Sequence, residues 1–469
     1  MFTKILIANR GEIALRVARA CRELGVGVVA VYSTADRDSP VVRMADETVH
    51  IGPAPPRESY LHIPNIIEAA LCTGAEAIHP GYGFLSEDPD FAEICVKEGI
   101  TFVGPSPEVM HQLGNKATAR ALMAEAGLPL LPGTIEPVHT AEQGETIAAE
   151  IGYPVIIKAA AGGGGRGMAV VHNPRNFREA YRNIRAVAHS VFRDGAVYVE
   201  RFLTGARHVE VQVLGDLYGN VVHLGERDCS VQRRHQKLIE EAPCGWLTPT
   251  QRKEIGSAAV RGALAIEYSG AGTIEFLLDE HQQFFFMEMN ARIQVEHPTT
   301  EMVTGIDLIQ QQILVAAGEP LPFKQQDVNV TGAAIECRIN AEDPTRGFAA
   351  TSGVLDVFDL PDGPWTRVDS GYTPGALVTP YYDSLLAKLV VWAPDREQAL
   401  KRMDRALSEF HIEGRGVATT VDFHRSIVRH PVFRTGNHSI DLVDQWITEP
   451  TSTGEASDDH RPNGRGEGR

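Results

Sequence analysis

The sequence has few cysteines, no long apolar run and no excess of basic residues. Six cysteines (Cys21, Cys72, Cys95, Cys229, Cys244 and Cys337) are scattered through 469 residues without a CxxC pair. That spacing carries neither a zinc nor a disulfide signal and fits a reducing compartment. No apolar stretch approaches the roughly 20 residues that span a bilayer, so no membrane partner is expected. The chain passes from Met1-Phe2-Thr3-Lys4 straight into Ile5-Leu6-Ile7-Ala8, which leaves no room for a signal or transit peptide. A cytoplasmic protein is the plain expectation. Lys and Arg number 44 against 61 Asp and Glu, a formal charge of −17. Such a balance argues against nucleic acid as a partner and against a basic membrane-facing surface. Two nucleotide signatures are also missing. Without GxxxxGK(S/T) the chain is not a P-loop NTPase, and without HRD or DFG it is not a protein kinase.

What is present is the composition of a globular protein, 43% hydrophobic and 22% charged, long enough for two to four domains. In the first hundred residues short apolar runs alternate with helical patterns. Ile5–Ala8 is followed by a helical stretch from Gly11 to Leu24, then by Val26 to Tyr32, Ala77 to Pro80 and Thr101 to Gly104. Strands separated by helices predict a doubly wound parallel sheet. A small segment, about 130–203, carries a glycine-rich hairpin. From His208 the alternation is mostly of period two, as expected of a larger antiparallel domain. The stretch from Thr451 to Arg469 is rich in Gly, Ser, Asp and Arg and is expected to be disordered.

Gly162, Gly164 and Gly167 make a formal GxGxxG match, but strand-like Met168–Val171 follows them. A dinucleotide fingerprint requires a helix there. Strand, glycine loop and strand together suggest a lid whose bare amides close over phosphates, with Lys158 at the strand end to neutralise them. Farther along, Thr273–Leu278 and Phe284–Asn290 flank a turn, and a symmetric hairpin sets Glu275 opposite Glu288. Like charges in that position destabilise a sheet unless a cation such as Mg²⁺ lies between them. A solvent-facing pair is the alternative, and the hairpin alone does not choose. The next residues do. Glu288, Asn290, Arg292, Gln294 and Glu296 fall on successive even positions, one face of an extended chain. Two carboxylates, two amides and a guanidinium beside a metal pair describe an anion site with its own base. Arg292 supplies forked donors and Glu296 the base.

The stretch Asn290-Ala291-Arg292-Ile293-Gln294-Val295-Glu296-His297-Pro298 resembles the signature of biotin carboxylases, within the ATP-grasp superfamily. Ile7–Ala14, His79–Glu87, the lid glycines, Glu226–Ser230, Gln232–Lys237 and Glu336–Asp343 agree with the family in order and spacing, so the resemblance covers about 1–447. It implies an ATP-grasp fold of class α/β (α+β). An N-terminal Rossmann-like domain at 1–115 would be followed by an ATP-grasp domain at 116–330, with its lid at about 130–203. A C-terminal domain would occupy 331–447, with a tail at 448–469.

The resemblance also implies roles. Lys116 and Lys158 would contact ATP phosphates, under the lid glycines Gly163, Gly164 and Gly165. Glu200 and Leu203 would hold the adenine edge, and Leu277 would line the nucleotide site. His208, Gln232 and His235 would lie near the ribose and base, with Lys237 facing the phosphates. Glu275, Glu288 and Asn290 would hold Mg²⁺ or Mn²⁺. Arg292, Gln294 and the Val295 amide would cradle bicarbonate, which Glu296 deprotonates to form carboxyphosphate. Arg338 would stabilise the enolate of biotin, and Tyr82 would line its pocket. Arg201, where relatives have lysine, and Ala291, where threonine is frequent, depart from the pattern without removing a catalytic group. The stretch Phe348–Gly353 lacks expected prolines.

The implied partners are a biotin carboxyl carrier protein and a carboxyltransferase. Both are placed on separate chains, because no Met-Lys-Met biotinylation motif occurs here. A homodimer is expected, with Arg19 and Glu23 on the corresponding helix. Another ATP-grasp ligase and a non-catalytic nucleotide-binding regulator remain the rivals. The first should lack Glu296 paired with Arg338, and the second should have lost one of the catalytic groups. The final carboxyl acceptor, whether acetyl-CoA, propionyl-CoA or pyruvate, stays open.

Overall fold

The N-terminal apolar runs become parallel strands because both of their faces are covered. In the computed structural model, which describes residues 1–134, 136–159, 167–192 and 195–448, five parallel strands lie side by side. Their spatial order is Glu47–Gly52, Gly27–Ser33, Lys4–Ile7, Ala77–His79 and Thr101–Phe102. Helix Gly11–Glu23 packs its apolar stripe on the sheet, and Ile5, Leu6, Ile7, Val28 and Val29 are wholly buried. The strand Glu47–Gly52 is an edge the sequence reading did not single out. Its outward positions Glu47, Thr48 and His50 dilute the apolar run that marks a central parallel strand.

The second sheet is antiparallel throughout and has eight strands. In spatial order they are Phe284–Asn290, Gly270–Leu278, Arg207–Gly215, Val221–Arg233, Gln236–Ala242, Ala333–Asn340, Leu385–Ala393 and Thr366–Ser370. It therefore runs without a break from the hairpin carrying Glu275 to the strand carrying Arg338. Arg234 and His235, both at positive φ (49° and 66°), turn one strand into the next, a two-residue hairpin turn of the kind whose twist matches its strands. The small segment forms its own three-stranded sheet. Val155–Ala159 lies at its centre, between Met168–Val171 and Val197–Arg201. Residues 160–166, which include Gly163, Gly164 and Gly165, lie outside the described residues, as do those after 448.

The polar ladder is extended only as far as Asn290. Beyond it the chain bends through Ala291–Val295 and enters helix His297–Thr304 at Glu296. The alternation of even positions is therefore not a strand face after Asn290. Pro298, in the first turn of that helix, favours the change of direction. The Ala291 amide is meanwhile taken by Glu87 Oε1 at 3.0 Å, from the N-terminal domain. Phe348, at φ 59°, docks edge-on against Phe423 at 4.9 Å between ring centres. A buried aromatic thus anchors the loop that lacks prolines.

Candidate active site

The hairpin register pairs Glu275 with Glu288. Glu275 is buried, whereas Glu288 opens onto the cleft. Around Glu275 the strands gather hydrogen-bond donors. Lys237 Nζ lies 3.0 Å, Asn290 Nδ2 2.9 Å and Gln294 Nε2 2.8 Å from Oε1, and His208 Nε2 is 3.0 Å from Oε2. Burial opposes the Glu275 charge, but Lys237 and then His208 hold its carboxyl well below the ordinary range. Glu288 goes the other way. Crowding by the protein, and next the Glu275 charge, push it up. A second carboxylate made costly by the first is what a cation between them would relieve, and hard carboxylate oxygens suit Mg²⁺. The residues fit the ion. Asn290 at present spends its Oδ1 on Arg292 Nη2 at 3.1 Å.

Glu296 is the most enclosed member of the ladder, at 1% exposure. Lys237 Nζ approaches one of its oxygens at 2.7 Å and Arg338 Nη2 the other at 2.8 Å. Burial disfavours its charge, yet Lys237, Arg338 and Arg227 in that order hold Glu296 far below the usual carboxylate range. It is ionised, the state a general base needs. Arg338 also donates Nε to Glu240 Oε1 at 2.6 Å. Glu240 faces Glu336 across the strands, and burial above all raises Glu240 to about 7. Arg292 is held by Glu87 Oε2 at 2.9 Å. Tyr82 donates to Glu12, which lies 3.1 Å from buried Lys388, and Lys388 donates to the Val295 carbonyl at 2.8 Å.

At the other end of the cleft Lys158 and Arg120 both reach Glu200, at 2.6 and 2.9 Å. Lys116 begins helix Lys116–Glu125, capped by Asn115, whose side chain accepts from the Ala117 and Thr118 amides. Burial lowers the Lys116 ammonium, an effect that Glu288 opposes. Gln232 Nε2 is 3.5 Å from His208 Nδ1, and His235 sits in the exposed hairpin turn. Leu203 and Leu277 are half-buried. The structure thus gathers Lys237, Glu275, Asn290, Arg292, Gln294, Glu296 and Arg338 into one hydrogen-bonded cluster. Lys158, Arg120 and Glu200 form a separate group.

Sequence reading gave no role to Glu87 and Arg227, which it placed only within motifs, and passed over Glu210, Glu240 and Lys388. For Glu210 a signal existed. His208-Val209-Glu210-Val211-Gln212 alternates, so His208, Glu210 and Gln212 share a face. For Lys388, in the apolar run Leu385–Ala393, nothing local marked it.

Family models match almost end to end. They are the biotin carboxylase N-terminal domain at 1–110, the carbamoyl-phosphate synthase L chain ATP-binding domain at 115–324 and the biotin carboxylase C-terminal domain at 336–445. A biotin carboxylase from Nostoc sp. is 53% identical, with 95% of this chain and 99% of that one covered. The chain belongs to the biotin carboxylase family. A second relative, a pyruvate carboxylase subunit from Methanothermobacter thermautotrophicus, is 52% identical over 95% of this chain and 90% of its own. Among solved structures, the biotin carboxylase domain dimer of Hydrogenobacter thermophilus 2-oxoglutarate carboxylase superimposes with a TM-score of 0.91. It is 47% identical over 95% of this chain and 98% of that one, and it was crystallised with MgADP, ADP and bicarbonate. The fold is that of biotin carboxylases of the ATP-grasp type, and the chain is an ATP-dependent carboxylase.

Proposed function

We propose that the chain carboxylates the biotin of a biotin carboxyl carrier protein with bicarbonate at the expense of ATP, releasing ADP and phosphate. One observation carries the residue assignment. Lys237 and Arg338 both bind the buried, ionised Glu296 carboxylate, Gln294 joins the same cluster through Glu275, which Lys237 also holds, and Arg292 stands beside it on Asn290. Arg292, Gln294 and the Val295 amide hold bicarbonate while Glu296 takes its proton. The oxygen so freed attacks the γ-phosphate, breaking its bond to ADP and forming carboxyphosphate. Glu296 is a weak base while two cations hold it, so each cation drawn to phosphate or substrate raises its basicity. Lys116, Lys158 and Lys237 take the phosphate charge, and preorganised donors of this kind need no rearrangement as charge develops. Mg²⁺ or Mn²⁺, when bound, would be held by Glu275, Glu288 and Asn290 and would neutralise phosphate charge.

Carboxyphosphate then breaks into CO₂ and phosphate. Phosphate removes the biotin N1 proton, Arg338 stabilises the enolate, and N1 attacks CO₂ with Tyr82 lining the pocket. Glu200 and Leu203 hold the adenine, with Leu277, His208, Gln232 and His235 around base and ribose. To Gly163, Gly164 and Gly165, which lie outside the described residues, we assign contacts with the ATP phosphates.

Relatives named for pyruvate and 2-oxoglutarate carboxylation share this half-reaction's architecture, so the final acceptor is set elsewhere. We place the carrier and carboxyltransferase on separate chains, in keeping with the relative whose name makes it one part of a pyruvate carboxylase. We also propose a homodimer. Arg19 and Glu23 line a surface hollow of about 410 Å³ together with Arg16, Glu301, Asp307 and Arg367. Domain limits at 115 and 330 are our division. No helix is long and apolar enough to cross a membrane among the described residues. A cytoplasmic site of action rests on the free thiols.

The test is bicarbonate-dependent ADP release with Mg²⁺, with and without free biotin, beside Glu296→Ala. Biotin stimulation that the variant loses is the expected result. Turnover indifferent to biotin would point to another ATP-grasp ligase.

A further inference from the structure

We propose that Arg227 is a positioning residue that fixes the Gln294 amide with its N–H₂ toward the anion site. The inference rests on the reading of Gln294 as part of the bicarbonate cradle. Among the described residues Arg227 is the largest fully buried side chain, at 0% exposure. A guanidinium has five N–H donors and no acceptor, and here all five are used on distinct oxygens. Nε donates to Glu210 Oε1 at 2.5 Å. Nη1 donates to Gln212 Oε1 at 2.7 Å and Thr300 Oγ1 at 2.9 Å, and Nη2 to Thr273 Oγ1 and Gln294 Oε1, both at 3.2 Å.

The consequence for Gln294 follows from chemistry alone. A donor-only group against one end of its amide requires the oxygen there. At the other end Gln294 Nε2 donates to ionised Glu275 Oε1 at 2.8 Å, an acceptor-only group. Both ends exclude the flipped amide, which leaves the second N–H of Nε2 for an anion. The same guanidinium fixes Glu210, whose other oxygen receives Lys237 Nζ at 2.5 Å. Lys237 has two further carboxylate partners, Glu275 and Glu296, so the donor that depends on Arg227 is the Gln294 amide, set without the guanidinium reaching the cleft itself.

The test separates bicarbonate from nucleotide. In Arg227→Lys the charge stays, but three donors on a shorter head cannot span Glu210 and Gln294 together. The KM for bicarbonate should rise about tenfold or more, as expected when a charged hydrogen bond that orients a binding group is lost. Lys237 keeps Glu275 and Glu296 as partners, so the KM for ATP and the affinity for ADP should stay within about twofold. A merely structural role would lower the melting temperature and the active fraction while leaving the bicarbonate KM in place.

If Arg227→Lys does not fold, the neutral pair Glu210→Gln/Arg227→Met, compared with wild type, carries the test, because removing both charges together leaves no unpaired guanidinium or carboxylate between them. A bicarbonate KM within twofold of the reference in whichever variant folds overturns the proposal, and so does an equal rise in both KM values. If neither variant yields folded protein, Arg227 is a folding residue and the proposal is likewise overturned. Wild-type ADP release that ignores bicarbonate would instead sink the reading of the site.

Discussion

The parallel N-terminal sheet and the eight-stranded antiparallel sheet are both buried, yet they fill their interiors with different chemistry. Around the first lie Ile5, Leu6, Ile7, Val28, Val29 and Ala30, all at or near zero exposure. On the second, apolar side chains such as Val211, Ile274 and Ile335 share the interior with Glu210, Arg227, Glu240, Glu336 and Lys388, which are equally inaccessible. Apolar burial gains free energy with area. A buried ion pair only roughly recovers the cost of desolvating its members, though breaking one is expensive. Apolar burial on both sheets thus carries stability. The second sheet adds a set of buried charges around Glu296, the residues proposed to do the chemistry. Substitutions of similar size should therefore separate: apolar positions of the first sheet should lose stability, the charged positions of the second turnover.

The largest effect is expected at the charged sheet. Glu296→Gln keeps the shape of the side chain but cannot accept a bicarbonate proton. ADP release dependent on bicarbonate should fall by about 10²- to 10⁴-fold, the usual contribution of a positioned base. ADP binding by calorimetry should be retained. If the variant kept more than a tenth of wild-type turnover, the proton would have another acceptor.

Next in size is Leu6→Ala on the parallel sheet. It should cost about 2–5 kcal/mol in chemical denaturation, the range for emptying a well-packed leucine site, with kcat per folded molecule unchanged. A fall in kcat at full folding would show that the two sheets are not separable.

These two sheets also mark how far the sequence could be read. Ile5–Ala8 and Val26–Tyr32 announced parallel strands because buried strands are continuous in hydrophobicity, and the Glu275–Glu288 register followed from hairpin symmetry alone. The ladder past Asn290 was legible as a set of residues and not as a strand. Alternation cannot report that Glu87, about two hundred residues away, captures the Ala291 amide and the Arg292 guanidinium. The cluster of Glu210, Arg227 and Lys237 comes from three neighbouring strands. Periodicity gives the face of each strand but not which strands adjoin. Lys388 was hidden by its apolar surroundings, and only the fold brings Glu12 and the Val295 carbonyl to it.

A third prediction concerns the seam behind Arg338. His424 is fully buried, its Nε2 lies 2.6 Å from the Arg338 carbonyl, and burial lowers its pKa to about 4. The unfolded chain protonates this group near 6.5 and the folded one does not until about 4. Its neutral burial therefore costs nothing above the unfolded value, and stability is lost as pH falls through that window. By linkage the loss at pH 5 is about 2 kcal/mol. His424→Gln keeps a donor for the carbonyl without the titration. The stability gap between wild type and variant should shift by that amount in the variant's favour from pH 7.5 to pH 5. A gap independent of pH would mean that His424 is charged in the fold.

The smallest effect tests the nucleotide end of the cleft against the anion end. Lys116 begins its helix directly after Asn115, which satisfies the Ala117 and Thr118 amides at 3.0 and 3.1 Å. Asn115→Ala removes a cap worth about 1 kcal/mol. If the frayed turn spreads that loss to the placement of Lys116, the KM for ATP rises by no more than about fivefold, the ratio equivalent to that energy. The bicarbonate KM should not move, because no atom of Asn115 joins the Glu296 cluster. That is the mirror image of the result expected for Arg227→Lys. Steady-state kinetics in both substrates on the two variants would show whether the cleft is two independently supported half-sites, and a common shift in both KM values would show one coupled unit.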